Sequence, residues 1–437
     1  MKIFFHFFVY FYISFCLLNL ESANSQDTIN RKEFIKIGGE AQIRGELDGR
    51  DFSNLTYPLT STNMRLRLNA EKTIFENLTF FIQLQDSRQW GVEKNSIKNI
   101  FNIDLHQGYV SVKDLFSTPL AFQVGRFEVL YSNGRLFGNN NWSFIGRSFD
   151  GLRLSYNEEY YKISAFALTH TWFMDNIPNA QPQSYPYPSN PDTSHNIYGI
   201  WANLNPMKNH TFDVFGYYDL NRKESDNINP DIARWTIGFN YDGKYDNIST
   251  VFNIAYQFGS LYATQFATVG HKEISAWMLL LKLQYSIGAL SIVGNVDISS
   301  GSSPQEPQKM GFFSAPYSAK HQFWGYMDYF TNMEKGTDYL GLNDYFLTLI
   351  YQQKESPFNA RFDAHYFTSN KKSVDGLSFL GPELDITLLY KLYKELSIEF
   401  GSCVFFPGDL MKQIWKVNGH NRDDPSFFSY LMLRLKI

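Results

Sequence analysis

The sequence predicts an all-β protein: a transmembrane antiparallel β-barrel of about 18 strands, preceded by a cleaved signal peptide. Three observations carry this. The N-terminus has the parts of a secretory signal. The remaining chain is polar on average, yet 17% of all residues are aromatic, with 40 Phe and 28 Tyr. Period-two alternation of apolar and polar side chains recurs from Glu33 to Ile437.

The signal comes first. Met1 and Lys2 precede a nearly unbroken apolar run from Ile3 to Leu20, and Glu-Ser-Ala-Asn-Ser-Gln follows. Ala23 and Ser25 are the small residues that a cut before Gln26 requires. Residues 1–25 are therefore expected to leave as the signal peptide and residues 26–437 to form the barrel. The run is long enough for a spanning helix, but the small-residue site directly behind it favours a signal. Cys16 suits a lipoprotein site poorly, because bulky Phe15 stands where a small residue is needed.

Composition narrows the class. Beyond residue 26 no apolar run is long enough to cross a membrane as a helix, and mean hydropathy is −0.30. A barrel reconciles low hydropathy with many aromatics. Its strands alternate lipid-facing and lumen-facing side chains, and aromatic girdles mark both interfaces. Once Cys16 has gone, Cys403 is the single cysteine, which excludes a disulfide framework and cysteine-built metal sites. Net charge is −4 with no long basic block, so nucleic acid is not an expected partner. No cofactor is implied.

The strands follow in order. In Met64-Arg65-Leu66-Arg67-Leu68 the apolar side chains take even positions and the arginines odd ones. Successive strand residues point to opposite faces, so Arg65 and Arg67 are expected to face inward. The beat returns in Leu78 to Gln85, in Phe362 to Tyr366 and in Leu384 to Leu388. Such segments begin near residues 34, 63, 77, 102, 119, 149, 160, 195, 210, 233, 249, 274, 289, 343, 358, 382, 396 and 426. Short turns are expected at Tyr241–Lys244 and Lys391–Glu395, and long loops at Asp175–Ser194 and Ser299–Thr337. The last strand carries Leu431, Leu433, Leu435 and Ile437 on one face. In lipid every backbone polar group needs an internal partner, so strands without spanning helices must close on themselves.

Two stretches go beyond periodicity. One runs from Val124-Gly125-Arg126-Phe127-Glu128 through Tyr131-Ser132-Asn133-Gly134-Arg135-Leu136-Phe137-Gly138 and Asn141-Trp142 to Gly146-Arg147-Ser148-Phe149-Asp150-Gly151-Leu152-Arg153-Leu154. The other is His321-Gln322-Phe323-Trp324-Gly325-Tyr326-Met327-Asp328-Tyr329-Phe330. Together with Gly381-Pro382-Glu383-Leu384-Asp385, they resemble the alginate export family of outer-membrane barrels over most of the mature chain.

The resemblance implies an 18-stranded outer-membrane channel with an electropositive lumen. The implied cargo is an anionic polysaccharide or oligosaccharide, moving by passive diffusion. Arg126, Arg147 and Arg153 match the family block, and Arg65 and Arg67 join them by alternation as candidate lumen arginines. Glu128, Asp150 and Asp385 are candidate acidic partners. Phe323, Trp324, Asp328 and Phe330 are expected in a loop at the mouth. Guanidinium suits the task, being always charged and able to grip a carboxylate bidentately. The plainer reading of each arginine is a cross-strand ion pair in an ordinary solvated wall. His321 and His365 read as isolated wall residues. No Gly-x-Ser-x-Gly elbow occurs, and nothing marks a catalytic carboxylate pair. Expected partners are membrane lipid, the cargo, and a periplasmic export or uptake complex. A general or uptake porin for small solutes is the alternative.

Overall fold

The computed structural model describes residues 35–92, 102–170, 195–222, 231–417 and 423–437. The expected signal peptide and the expected loop at 175–194 lie outside the described residues.

Eighteen strands form one closed antiparallel sheet. They are β1 (Lys36–Gly49), β2 (Leu59–Ile74), β3 (Leu78–Gln89), β4 (Ile103–Leu115), β5 (Leu120–Phe127), β6 (Phe149–Asn157), β7 (Tyr161–Thr169), β8 (His195–Met207) and β9 (His210–Asn221). Then come β10 (Ile232–Tyr245), β11 (Ile248–Gln265), β12 (Thr268–Ile287), β13 (Leu290–Ser299), β14 (Leu342–Gln352), β15 (Phe358–Thr368), β16 (Phe379–Lys391), β17 (Leu396–Phe405) and β18 (Ser426–Lys436). Each strand pairs with the next, and β18 returns to β1 with Leu433 opposite Ile43. A two-residue bridge, Lys309–Met310, lies parallel to Glu273–Ile274 of β12.

Every expected strand is present. The largest displacement is at β12, which begins at Thr268 rather than near residue 274. Phe266 and Ala267 both have positive φ, at 47° and 61°. Such a two-residue turn matches the strand twist and carries the β11–β12 hairpin further out. The turn expected at Tyr241–Lys244 is instead strand. β10 continues to Tyr245, and the reversal falls on Asp246, with φ of 48°, and Asn247.

Connections alternate in length, except at the two-residue Phe266–Ala267 turn between β11 and β12. One end of the barrel carries tight turns, such as residues 75–77, 208–209 and 392–395. The other end carries the long loops, chiefly residues 128–148 between β5 and β6 and residues 300–341 between β13 and β14.

Alternation sets the two faces. Leu66 and Leu68 are 43% and 59% exposed on the outside, while Arg65 and Arg67 between them are buried inside. Outward Tyr198, Trp235, Phe258, Tyr345 and Tyr366 lie toward the loop end, and Tyr156, Tyr161, Tyr245, Tyr285 and Tyr390 toward the turn end. These are the two aromatic girdles of a membrane barrel. The buried aromatic core lies inside the barrel, where Phe137 and Tyr317 from the two long loops pack with Phe149, Phe166, Trp201 and Tyr217 of the wall.

Candidate functional site: a lumen crossed by two loops

Both long loops fold into the barrel and join there. Gly138 N–H donates to the Tyr317 carbonyl at 2.8 Å, and Ala319 N–H donates to the Gly134 carbonyl at 2.9 Å. The approach needs glycine: a Cβ on Gly138 would lie 2.7 Å from that of Ala319. Arg147 clamps the junction, donating from Nη1 to the carbonyls of Ser318 (2.8 Å) and Gly138 (3.2 Å). Burial pushes its pKa down to about 10, so the clamp stays cationic at neutral pH. Arg135 fixes the same loop to the wall through Asp297 Oδ1 at 2.5 Å, with its guanidinium 4.1 Å from the Trp324 ring centroid and 4.9 Å from that of Phe323.

On the wall of β1 and β2 sits an arginine cluster. Arg65 Nη2 and Arg67 Nη1 share Glu40 Oε1 at 2.6 and 3.4 Å. Arg67 also meets Glu128 at 3.3 Å, and Arg65 Nη1 donates to the carbonyls of Asn141 and Ser143 at 3.2 and 2.8 Å. Glu128 in turn lies 2.8 Å from His106 Nε2. Burial alone would raise the Glu128 carboxyl, but His106, Arg67 and Asn139 outweigh it and hold the carboxyl below its usual range. Further toward the loop end, Arg44 donates to Glu46 (2.6 Å) and to the Trp142 carbonyl (3.1 Å), with its guanidinium 3.7 Å from the Trp142 ring centroid. A luminal cavity of about 460 Å³ opens here, bordered by Arg44, Glu46, Arg50, Trp142, Phe144 and Asp328.

The expected lumen residues separate into two groups. Arg65, Arg67, Arg153, Glu128, Arg147 and Asp385 lie inside. Arg153 donates to Gln123 Oε1 at 2.5 Å, and its guanidinium lies 5.3 Å from the Phe127 ring centroid. Asp385 Oδ2 accepts from Tyr326 N–H at 3.3 Å. Arg126 and Asp150 do not belong with them. They are directly opposed on β5 and β6, with Arg126 Nη1 2.9 Å from Asp150 Oδ2. They share the phase of the exposed Val124 and Leu152, whereas buried Phe127 and Phe149 take the inward phase. The pair is an outward-facing ion pair near the loop end, a correction to the expected lumen set.

The expected mouth-loop residues are inside the barrel. Phe323 and Trp324 border Arg135. Asp328 Oδ1 is 2.9 Å from His321 Nδ1, and Phe330 packs against Phe367 with ring centroids 4.7 Å apart. The two histidines read as isolated are in fact partnered, His321 by Asp328 and His365 by Asp344 at 2.9 Å.

Sequence reasoning missed Glu40, His106 and Arg135. His106 turns inward because β3 and β4 slip register there: Gln83 opposes Gln107, Leu84 opposes Leu105, and His106 is the extra residue. A bulge re-aims a side chain in this way, and strict alternation has no signal for it. Among the described residues, no group of three or more His, Cys, Asp or Glu is set to hold a metal ion.

Comparison with known proteins gives a consistent result. The family model described as alginate export matches residues 34–423. No curated protein sequence matches the chain. Among solved structures, Acinetobacter baumannii OccAB1 is similar with a TM-score of 0.60 and 12% identity, covering 94% of this chain and 99% of that one. Pseudomonas aeruginosa OccK5 (OpdH) gives 0.57 and 11%, covering 92% and 98%. Pseudomonas aeruginosa OpdK, solved with vanillate, gives 0.53 and 10%, again covering 92% and 98%. At such identities these structures speak to fold alone. The matched family, spanning nearly the whole barrel, makes this chain an outer-membrane β-barrel channel that belongs to the alginate export family.

Proposed function

We propose that the channel passes an anionic polysaccharide or its oligomers by passive diffusion along an arginine-lined lumen. The observation that carries the reading is a ladder of inward arginines on one wall. Arg44 of β1 stands toward the loop end, Arg65 and Arg67 of β2 at mid-depth, and Arg434 of β18 in the rung of Gln42 and Arg65. The wall across the lumen presents amides instead, with Asn203, Asn240 and Asn253 on inward positions. Carboxylates of a passing chain would move from one guanidinium to the next while its hydroxyls face the amides.

The carboxylates beside the arginines suit passage rather than capture. Glu40, Glu46 and Glu128 already hold Arg65, Arg44 and Arg67. Conduction requires sites that attract enough to admit the cargo and bind weakly enough to release it. A guanidinium that must leave one carboxylate to greet another meets both demands.

A second reading, uptake of small carboxylates, is favoured by the two loops that narrow the lumen and by the 460 Å³ cavity beside Arg44. OpdK, a structural neighbour, was solved with vanillate, itself a small carboxylate. Planar-bilayer recording separates the readings. Anion selectivity with block by added polyuronate supports the first. Anion selectivity with block by monomeric uronate or benzoate alone supports the second. A cation-selective pore indifferent to all three anions overturns both.

A further inference from the structure

We infer that Glu383 is the positioning residue that holds the 300–341 loop across the lumen, and that the width of the conduction path depends on it. Glu383 lies on β16, fully buried, and Gly325 to Met327 of the loop come down directly on its carboxylate. Met327 N–H donates to Glu383 Oε1 at 2.8 Å, and Tyr326 N–H donates to the neighbouring Asp385 at 3.3 Å. Gly325 has φ of +80°, and a Cβ there would stand 2.5 Å from Glu383 Oε1. Only glycine lets a backbone in this conformation approach so closely. Two of the stretches singled out in the sequence, His321 to Phe330 and Gly381 to Asp385, are thus two halves of one contact.

The contact controls more than its own turn. Arg50, just after β1, donates from Nη1 to the Met327 carbonyl at 3.1 Å, while Asp48 of β1 holds its Nε and Nη2. Strands β17 and β18 lie between β16 and β1, so the turn forms a chord across the barrel. The next residue, Asp328, holds His321, which lies flat against Trp142 of the other loop. Apolar packing of Phe330 draws the loop inward, but Met327 is 1% exposed, and its buried N–H needs an acceptor there. Glu383 supplies that acceptor. Without it the chord keeps on β16 only the longer Tyr326–Asp385 bond, and the stack on Trp142 loses its footing.

The test needs only potassium chloride in a planar bilayer, so its failure is separate from failure of the cargo proposal. Glu383→Ala and Gly325→Ala should each raise unitary conductance by about two-fold or more, with frequent sub-levels, because a displaced chord frees lumen cross-section that it now fills. Glu383→Gln keeps an oxygen to accept from Met327 N–H and should stay close to the parent. Thiol labelling of Met327→Cys supplies a second measurement: slow in the parent background, fast when combined with Gly325→Ala. Heat-modifiable migration on gels selects correctly folded barrels. If folded Glu383→Ala and Gly325→Ala both keep parental conductance, or Gly325→Ala itself does so should Glu383→Ala fail to fold, the proposal is overturned. Slow labelling in the combined variant overturns it too.

Discussion

The Trp142 ring lies flat on the His321 ring, with centroids 3.5 Å apart and planes 3° from parallel. The Arg44 guanidinium covers the same indole at 3.7 Å. Three segments distant in sequence, β1 and the two lumen loops, therefore meet in one stack. Their cohesion comes from π stacking, with about 0.5–1.5 kcal/mol beyond area burial, and from a cation–π contact of about 0.5–2 kcal/mol.

Trp142→Ala should separate the two loops while leaving the strand ladder intact. The expected outcome is a noisier channel with extra conductance levels. Chemical unfolding in micelles should show a stability loss of about 1–3.5 kcal/mol, the sum of those two contacts. A quiet parental channel would show that the Gly138–Tyr317 and Gly134–Ala319 backbone bonds join the loops without help from the stack.

Arg126 and Asp150 give the second prediction. Because the pair faces outward, Arg126→Gln should leave anion selectivity and any polyuronate block unchanged. Its stability effect should be small, about 0–1 kcal/mol for an exposed pair. Arg65→Gln, on the inner wall, should reduce anion selectivity. Ion-selectivity measurements under a salt gradient distinguish the two, and loss of selectivity in Arg126→Gln would contradict the assigned phase.

That misplacement shows where the sequence was legible and where it was not. Strand number and the inward phase of Arg65 and Arg67 could be read directly, since each arginine has an apolar residue on both sides and the period of two has one solution. Around Arg126 it has two. Val124 is apolar because it meets lipid, but Phe127, of opposite parity, is apolar because the loops fill the lumen with aromatic rings. An inside that is partly apolar removes the contrast on which alternation depends. His106 escaped through a bulge, and the pairing of Arg135 with Asp297 escaped through distance, as 162 residues separate the partners. The motifs Phe323–Phe330 and Gly381–Asp385 were visible as motifs, yet nothing in either indicated that each seats the other.

Glu128 sets a pH dependence. Its folded pKa lies below the ordinary value of 4.5. A carboxyl with a depressed folded pKa contributes stability that is present above the unfolded value and lost as pH falls through the folded one. Acidification from neutrality should therefore leave the channel quiet until about pH 4.5 and add loop noise below it, as the ties to Arg67 and His106 weaken. Glu128→Gln should show that noise already at neutral pH and little further change on acidification. Equal acid sensitivity in parent and variant would assign the effect to another group.

Arg135 and Asp297 allow the sharpest energetic test, because both are about 2–3% exposed and the pair anchors a lumen loop to β13. Burial pulls the Arg135 guanidinium below its usual pKa, and the Asp297 and Asp344 carboxylates oppose that pull. Removing one member strands the other charge in a dry site. Arg135→Met or Asp297→Leu alone should thus cost about 3–5 kcal/mol, whereas the double variant should recover most of the loss, since a well-packed apolar replacement of both partners is often neutral. Unfolding in micelles around a double-mutant cycle measures the coupling. Recovery in stability without recovery of parental conductance would mean that the pair is kept to aim Trp324 and Phe323 over the lumen, rather than to hold the barrel together. Additive losses would mean that Arg135 is stabilised chiefly by its two aromatic neighbours, at 4.1 and 4.9 Å, and only secondarily by Asp297.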